Sequence, residues 1–487
     1  MIALIAGLPV IAQVPAEDES APAGSEALIR EPLQVDGVFP GLTVTGPMEG
    51  RSESGIGALL PWADRLWMIG YVAHIHGSRI GLYEIDENLQ MRKHPESVTG
   101  TFANRYSHRN LDVAVIGPHL IDQQGHVRTY EELSGHRLTA TMAHLTDPEN
   151  KVYFLTMEGL LFEASVKEDM TVTLLFNLVE ELDLPNTAYV HFKGGFTGNG
   201  RVVVANNSYN ERDYLGKHAS GRLAEWDGNT WTILERTAFV EVSGKMSGTL
   251  KGLSHYGNPI FATGWDKRSV ILMNYNDRTR AWKRYRLPKG SHSFDHEWNT
   301  EWMRIREAQT ERFIMDVHGI FYELPMMTYG GEVWGIKPIS YHLRIVPDFC
   351  FWRGMFVMAG DQTDHGVGQP QSGLLFENID DLWSYGKPTG WGAVWREDLV
   401  TADDISDPFL MTGFDQKTLH LQNQSETAVR VTLEVDFLGN GTFSTYRTIA
   451  VGPESYTHHV FPDGFSAHWI RLRVDKTAIM TAQFIYN

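Results

Sequence analysis

Residues 151–164 read KVYFLTMEGLLFEA: an apolar run, a tight turn at Glu-Gly, and a second apolar run ending on an aromatic and an acid. Such a segment is a β-hairpin, because the runs are strand-length, rich in β-formers and separated by turn residues. The same phrase recurs on both sides. Upstream lie LWMIGYVAHIHGSRIGLYEI (66–85) and VAVIGPHLID (113–122). Downstream come RVVVANNSY with GRLAEW (201–226), PIFATGWDKRSVILMNY (259–275), RFIMDVHGIFYEL (312–324) and MFVMAGDQ with GLLFEN (355–378). Seven hairpins, most about 45–60 residues apart, have the repeat length of four-stranded propeller blades. The predicted fold is therefore all-β, a seven-bladed β-propeller.

A further short strand precedes most of the hairpins: GIGALLPW, ANRYSHRN, LTATMAHL, YVHFKGGF, GTLKGLSH, TEWMRIRE and HLRIVPDF. These are expected to be the innermost strands, facing the central channel. Helical periodicity is confined to EELSGHRL and LVEELDL. Beyond Trp395 the texture changes. FLMTGFDQKTLHLQNQ, AVRVTLEVDFLG, TFSTYRTIAV and HWIRLRVD alternate with period two, which predicts a C-terminal β module over 396–487, either a separate sandwich-like unit or material that closes the ring. The propeller is assigned to 28–395 and residues 1–27 to a signal-like segment or a disordered tail. Ile2 to Ala12 is apolar and the next fifteen residues are rich in Pro, Ala, Ser and acids, as at the end of an export signal. A secreted or periplasmic protein is expected.

The 487 residues carry a formal net charge of −18, which repels nucleic acid, and 11% aromatic residues, enough for a large core. No later apolar run is long enough to span a membrane. The one cysteine, Cys350, excludes an intramolecular disulfide. A monomer is expected.

Four groups of residues could carry chemistry. His108, His144, His191 and His255 fall at similar points of the expected inner strands, where imidazoles would converge on the channel; each taken alone equally suits a satisfied structural histidine. Tyr209, Arg212, Lys217, His218 and Arg222 lie on or beside one long loop, and a tyrosine among cations can act as acid or base. His292, His296, His318 and Cys350, with His342 and His365, could hold a structural zinc, or a calcium; there is no CxxC spacing, and Cys350 equally suits a buried apolar strand. Arg304 and Arg306, in TEWMRIRE, could grip a carboxylate or tie blades together. No organic cofactor is expected.

The phrases ESVTGTFANRYSHRN, IGPHLID, GHRLTATMAHLTDPENKVYF, TMEGLLFEA, GRLAEWDG, TEWMRIRE and VPDFCFW resemble the seven-bladed propeller polysaccharide lyases, the ulvan lyases and rhamnose–glucuronate lyases. The resemblance runs over roughly 55–395. It implies β-elimination at a uronic acid of an acidic polysaccharide: a base takes the proton from C5, the C4–O bond breaks, and an unsaturated uronate remains. It also implies roles for His108, His144 and Tyr209 in moving protons and for His191 and Arg222 in holding the uronate. Tyr189, His119 and His126 compete for these roles. The readings kept beside it are a non-catalytic propeller that binds acidic glycans and a propeller glycoside hydrolase.

Overall fold

The computed structural model describes residues 44–45, 54–72, 80–108, 111–185, 189–208, 221–244, 258–290, 302–309, 312–325, 333, 335–342, 345–360 and 373–487. Seven antiparallel units of four strands follow one another along the chain. Blade 1 starts with Ser54–Trp62, blade 2 with Arg105–His108, blade 3 with Leu138–Ala143 and blade 4 with Phe192–Gly198. Blade 5 starts with Ala238–Gly244, blade 6 with Arg304–Gln309 and blade 7 with Phe349–Trp352. Each of these first strands packs against the first strand of the next blade, and that of blade 7 packs against that of blade 1. The chain is thus a closed seven-bladed propeller, and every quoted hairpin supplies the middle strands of one blade.

The fourth strand of blade 7 comes from the other end of the chain. Val44–Thr45 pairs antiparallel with Gly373 and Leu374. The N-terminal side of the chain, and not the C-terminal module, closes this ring. Two inner strands also differ from expectation. That of blade 5 is Ala238–Gly244, ahead of the quoted GTLKGLSH, whose residues lie outside those described; that of blade 7 begins where HLRIVPDF ends. The helical candidates reduce to a 3-10 turn, Glu131–Leu133, and one turn of α-helix, Leu178–Glu181.

Close packing near the axis explains the paired glycines in blade 4. A Cβ on Gly194 would lie 2.5 Å from the Val240 carbonyl oxygen of blade 5, whereas one on Gly195 would meet the Met142 sulfur at 2.5 Å. Backbone cannot step aside, but a methionine side chain can. Gly194→Ala should therefore cost about 1–3 kcal/mol of stability, and Gly195→Ala clearly less. Paired thermal melts check the order.

Gly390–Val400 opens the C-terminal module, so the expected boundary at 395 falls inside a strand. The module stacks two sheets. One runs Gly390–Val400, Ala478–Tyr486, Lys417–Asn423, Ser455–Val460; the other Phe409–Leu410, Trp469–Val474, Val429–Asp436, Ser444–Val451. Alternate residues point between the sheets, which is why these strands read with period two. Phe409–Leu410 also pairs in parallel with the outer strand of blade 5, Ala281–Leu287. Across this junction Tyr285 and Trp469 rings sit 4.6 Å apart. The fully buried Arg286 grips Asp266 through two nitrogens at 3.0 Å and Asp407 at 2.9 Å. Module and propeller share one hydrophobic core.

Blade 7 contains a buried titrating group. Burial pushes the Glu377 carboxyl from 4.5 up to about 7; the Tyr385 hydroxyl, which donates to it, pulls the other way, and Asp381 adds to the rise. The fold thus favours the protonated acid. Its contribution is complete below pH 4.5 and is lost as the pH climbs through about 7, on the order of 3 kcal/mol in all. Glu377→Gln, which keeps an acceptor for Tyr385, should flatten this part of the stability–pH curve and be the more stable form at pH 8. Denaturant melts from pH 5 to 8 test it; parallel curves for the two proteins would refute it.

Candidate functional site

Because every blade is a consecutive antiparallel run, all seven innermost strands point the same way along the axis, and their first residues gather at one mouth of the channel. A cavity of about 410 Å³ runs along the channel from this mouth, lined by early and late residues of the inner strands of all seven blades. Charged groups gather in and beside it. Arg105 Nε lies 3.0 Å from Asp348 Oδ2, and Arg306 Nε lies 2.8 Å from Asp348 Oδ1. Arg306 also donates through Nη1 to Glu241, and Arg304 Nη1 lies 3.6 Å from the other Glu241 oxygen. Asp348 accepts in addition from the Leu59 backbone N–H at 2.8 Å. Blades 1, 2, 5, 6 and 7 are joined through this cluster.

The electrostatics follow from burial and pairing. Burial opposes ionisation of Asp348, but Arg105, Arg306, Arg304 and the Leu59 N–H together outweigh it and hold the carboxyl below its ordinary range. Burial also works against the charge on Arg306, yet Glu241 and Asp348 raise it above the ordinary guanidinium value. For Arg105 and Arg304 burial wins, and both are lowered.

An aromatic pair stands at the same mouth. Tyr71 and Trp302 meet edge to face with centroids 4.8 Å apart. Lys193 Nζ lies 5.8 Å from each ring, and the Arg304 guanidinium 5.1 Å from Trp302. Cations so placed are held by the ring faces. Met157 and Ile345 complete the apolar rim.

Of the expected histidines that are described, one lies at this mouth and two at the other end. His108 ends its inner strand and His144 follows the end of its own, whereas His191 precedes the first residue of its strand. His108 and His144 therefore sit at one end of the channel and His191 at the other; His255 lies outside the described residues. The first two do meet at one turn. His108 Nε2 bonds to the Pro148 carbonyl, while His144 Nδ1 accepts from the Asp147 N–H at 2.9 Å and Nε2 contacts Glu163 at 2.7 Å. Nδ1 is an acceptor for the turn, and Nε2 is taken up by Glu163 of the adjoining strand, so both ring nitrogens are engaged. His144→Ala should cost about 1–3 kcal/mol of stability and leave the properties of the opposite mouth unchanged; thermal melts beside a ligand-binding assay separate the two.

Arg222 is likewise turned inward. It is 2% exposed and donates to the carbonyls of Leu182 at 3.0 Å, Gly221 at 2.8 Å and Asp183 at 2.5 Å. Among the described residues its fork clamps the loop between blades 3 and 4. The His191 backbone N–H bonds to the Ser208 hydroxyl at 3.4 Å, one residue before Tyr209, which lies outside the described residues. Of the competitors, burial and His94 lower buried His119 to about 3, so it is neutral; it accepts from Val98 N–H and bonds to Thr129. His126 pairs with Asp122 on an exposed turn, and Tyr189 is exposed.

The expected metal set is described only in part. His292, His296 and His365 lie outside the described residues, and among those described no three His, Cys, Asp or Glu side chains group as a metal site. His318 occupies a left-handed turn position in blade 6, and Cys350 packs with Ile56, Leu59 and Val357. Burial pushes the Cys350 thiol up, against the thiolate that zinc needs.

Reading the sequence alone passed over Arg105, Lys193, Glu241, Asp348, Tyr71 and Trp302. A usable signal existed: single charges inside apolar inner strands, as in YVHFKGGF, AFVEVSG and VPDFCFW, must be paired once buried.

No protein-family model matches the chain, and no curated protein matches it. Similar solved structures include U3-55K (10% identity, TM-score 0.41, 68% of this chain and 97% of that one). An exo-β-1,3-galactanase from Phanerochaete chrysosporium with galactose matches at 7% identity and TM-score 0.30, over 92% and 100% of the two chains. The WD40 β-propeller domain of Doa1 matches at 9% identity and TM-score 0.38, over 71% and 100%.

Proposed function

We propose that the chain is a polysaccharide lyase that cleaves a uronate-containing glycan, of the rhamnose–glucuronate kind, by β-elimination. The observation that carries this reading is the cationic, aromatic-rimmed channel mouth of Lys193, Arg304, Tyr71 and Trp302 in a chain whose net charge is −18. A sugar ring can lie on the aromatic rim while its carboxylate meets the cations. Neutralising that carboxylate acidifies the C5 proton, which is what elimination requires. His191, two residues before Lys193, and Tyr209, next in the chain after Ser208, are the proposed proton-handling groups. His108 and His144 are left with a structural role.

A hydrolase would need a protonated carboxyl and a carboxylate flanking the scissile bond. Of the carboxylates at the mouth, Glu241 and Asp348 are both committed to Arg306, and Asp348 is held ionised. Incubation with a panel of uronate glycans separates the readings. Elimination creates a conjugated C=C that absorbs in the ultraviolet; hydrolysis releases reducing ends without it; a binding protein does neither. Reducing ends without ultraviolet absorbance would overturn the lyase proposal.

A further inference from the structure

The C-terminal module turns one face of its first sheet outward, and the period of two sorts side chains between the faces. In Lys417–Asn423, Leu419 and Leu421 fill the core, and His420 between them lies on the outer face. In Ser455–Val460, His459 points inward and is buried, while Tyr456, His458 and Val460 are exposed. Ser455–Val460 is the edge strand of this sheet and Lys417–Asn423 its neighbour. Their register sets His420 directly opposite His458.

This register brings three rings together. The His420 and His458 centroids lie 6.3 Å apart, and the Tyr456 ring lies 6.0 Å from the first and 6.1 Å from the second. His420 Nδ1 is 2.8 Å from the Tyr456 hydroxyl. Among the described residues, His420 Nε2 and both ring nitrogens of His458 make no hydrogen bond. Neutral imidazole is the commonest protein ligand for metals. A ligand histidine characteristically bonds through its other ring nitrogen to an oxygen that fixes the ring and its tautomer. His420 has such a partner: with the proton on Nδ1 it donates to the Tyr456 oxygen and presents the lone pair of Nε2.

We propose that His420 and His458 bind one late first-row divalent metal ion, copper(II) or zinc(II), with the Tyr456 hydroxyl orienting the His420 ring. Two protein ligands leave the other coordination positions to water. Metal–nitrogen bonds of about 2.0–2.1 Å at a tetrahedral angle put two imidazole centroids roughly 5 Å apart. The rings lie 6.3 Å apart, and rotation about the bonds of two surface side chains closes the difference. A net charge of −18 favours a cation over an anion here. The ion clips the edge strand to its neighbour, where an unpaired strand edge otherwise faces solvent. The pair shares no residue with the channel mouth or with the histidines around Cys350, so it does not depend on the elimination reading.

The full chain is titrated by calorimetry with copper(II) chloride, zinc chloride and magnesium chloride in a buffer that does not bind metals. It carries 20 histidines, so the decisive quantity is the difference between the unchanged protein and its variants. His420→Gln and His458→Gln, made singly, alter side chains on the outer face and should fold normally. The unchanged protein is expected to take up one more ion per chain than either variant, more tightly for copper than for zinc, and to take up no magnesium at this place. Tyr456→Phe keeps both ligands and removes the orienting oxygen, so affinity should fall about tenfold, less than in either histidine variant. Electron paramagnetic resonance of the copper complex should show coupling to two imidazole nitrogens that neither histidine variant retains as a pair. Copper stoichiometry and affinity unchanged in both histidine variants overturn the site. Loss in only one of the two variants, or magnesium uptake that the same variants abolish, overturns the imidazole pair as the ligand set.

Discussion

Asp348→Ala is expected to destabilise the propeller by about 3–5 kcal/mol. The carboxylate is fully buried and is the shared partner of Arg105 and Arg306, at 3.0 and 2.8 Å. Removing it leaves two guanidinium groups buried with too little counter-charge and strips the Leu59 N–H of its acceptor. Asp348→Asn keeps an acceptor for Leu59 and should lose less, which separates the hydrogen bond from the charge. Arg306→Ala together with Asp348→Ala should cost less than the sum of the two single changes, since each already breaks the same pair. Denaturant midpoints of the four proteins measure this. A loss below about 1 kcal/mol for Asp348→Ala would place the pair among those worth little to stability and remove the cluster's role in holding the ring.

Tyr209→Phe is expected to lower the rate of ultraviolet-absorbing product formation by about 10²–10⁴, the usual contribution of a general acid or base. The phenyl ring keeps the bulk of the side chain and loses only the proton-bearing oxygen, so substrate affinity should change little. His144→Ala is the matched control. Its ring nitrogens are occupied by Asp147 N–H and Glu163, so the variant should turn over normally per folded molecule while melting lower. Initial rates at several glycan concentrations, with circular dichroism to confirm folding, decide between them. Normal turnover in Tyr209→Phe would move the chemistry off this loop; a rate lost in His144→Ala with unchanged melting would move it to the opposite mouth.

The two histidines at positions 108 and 144 show how a correct alignment of strands can still misplace a site. The sequence pattern puts both on innermost strands; His108 ends one, and His144 directly follows the end of another. What the pattern could not convey was position along the strand. At about 3.3 Å per residue, a seven-residue strand such as Phe192–Gly198 separates its two ends by roughly 20 Å. His191 stands before one end and His144 after the other end of a neighbouring strand, so similar places in a repeat became opposite mouths of a channel. His144 had a local clue: it is followed by Thr-Asp-Pro, a turn whose N–H groups need an acceptor, and the imidazole supplies it. Arg222 had none. Its acceptors at Leu182 and Asp183 lie about forty residues away and come together only when blades 3 and 4 pack.

By itself the sequence determined the number and place of the seven hairpins and the period-two texture of the C-terminal module. Both depend on interactions within a few residues: alternation of apolar side chains across a strand, and turns that only certain residues permit. It could not determine ring closure, because the two residues Val44 and Thr45 have no local signature and find Gly373 and Leu374 only when the two ends of the propeller meet. Nor could it assemble the charged mouth. Arg105 and Asp348 are 243 positions apart, and their pairing exists because the first strands of blades 2, 6 and 7 point the same way around one axis. Charge pairing acts over a few ångströms of space rather than along the chain, so which arginine meets which carboxylate is settled only by the tertiary structure.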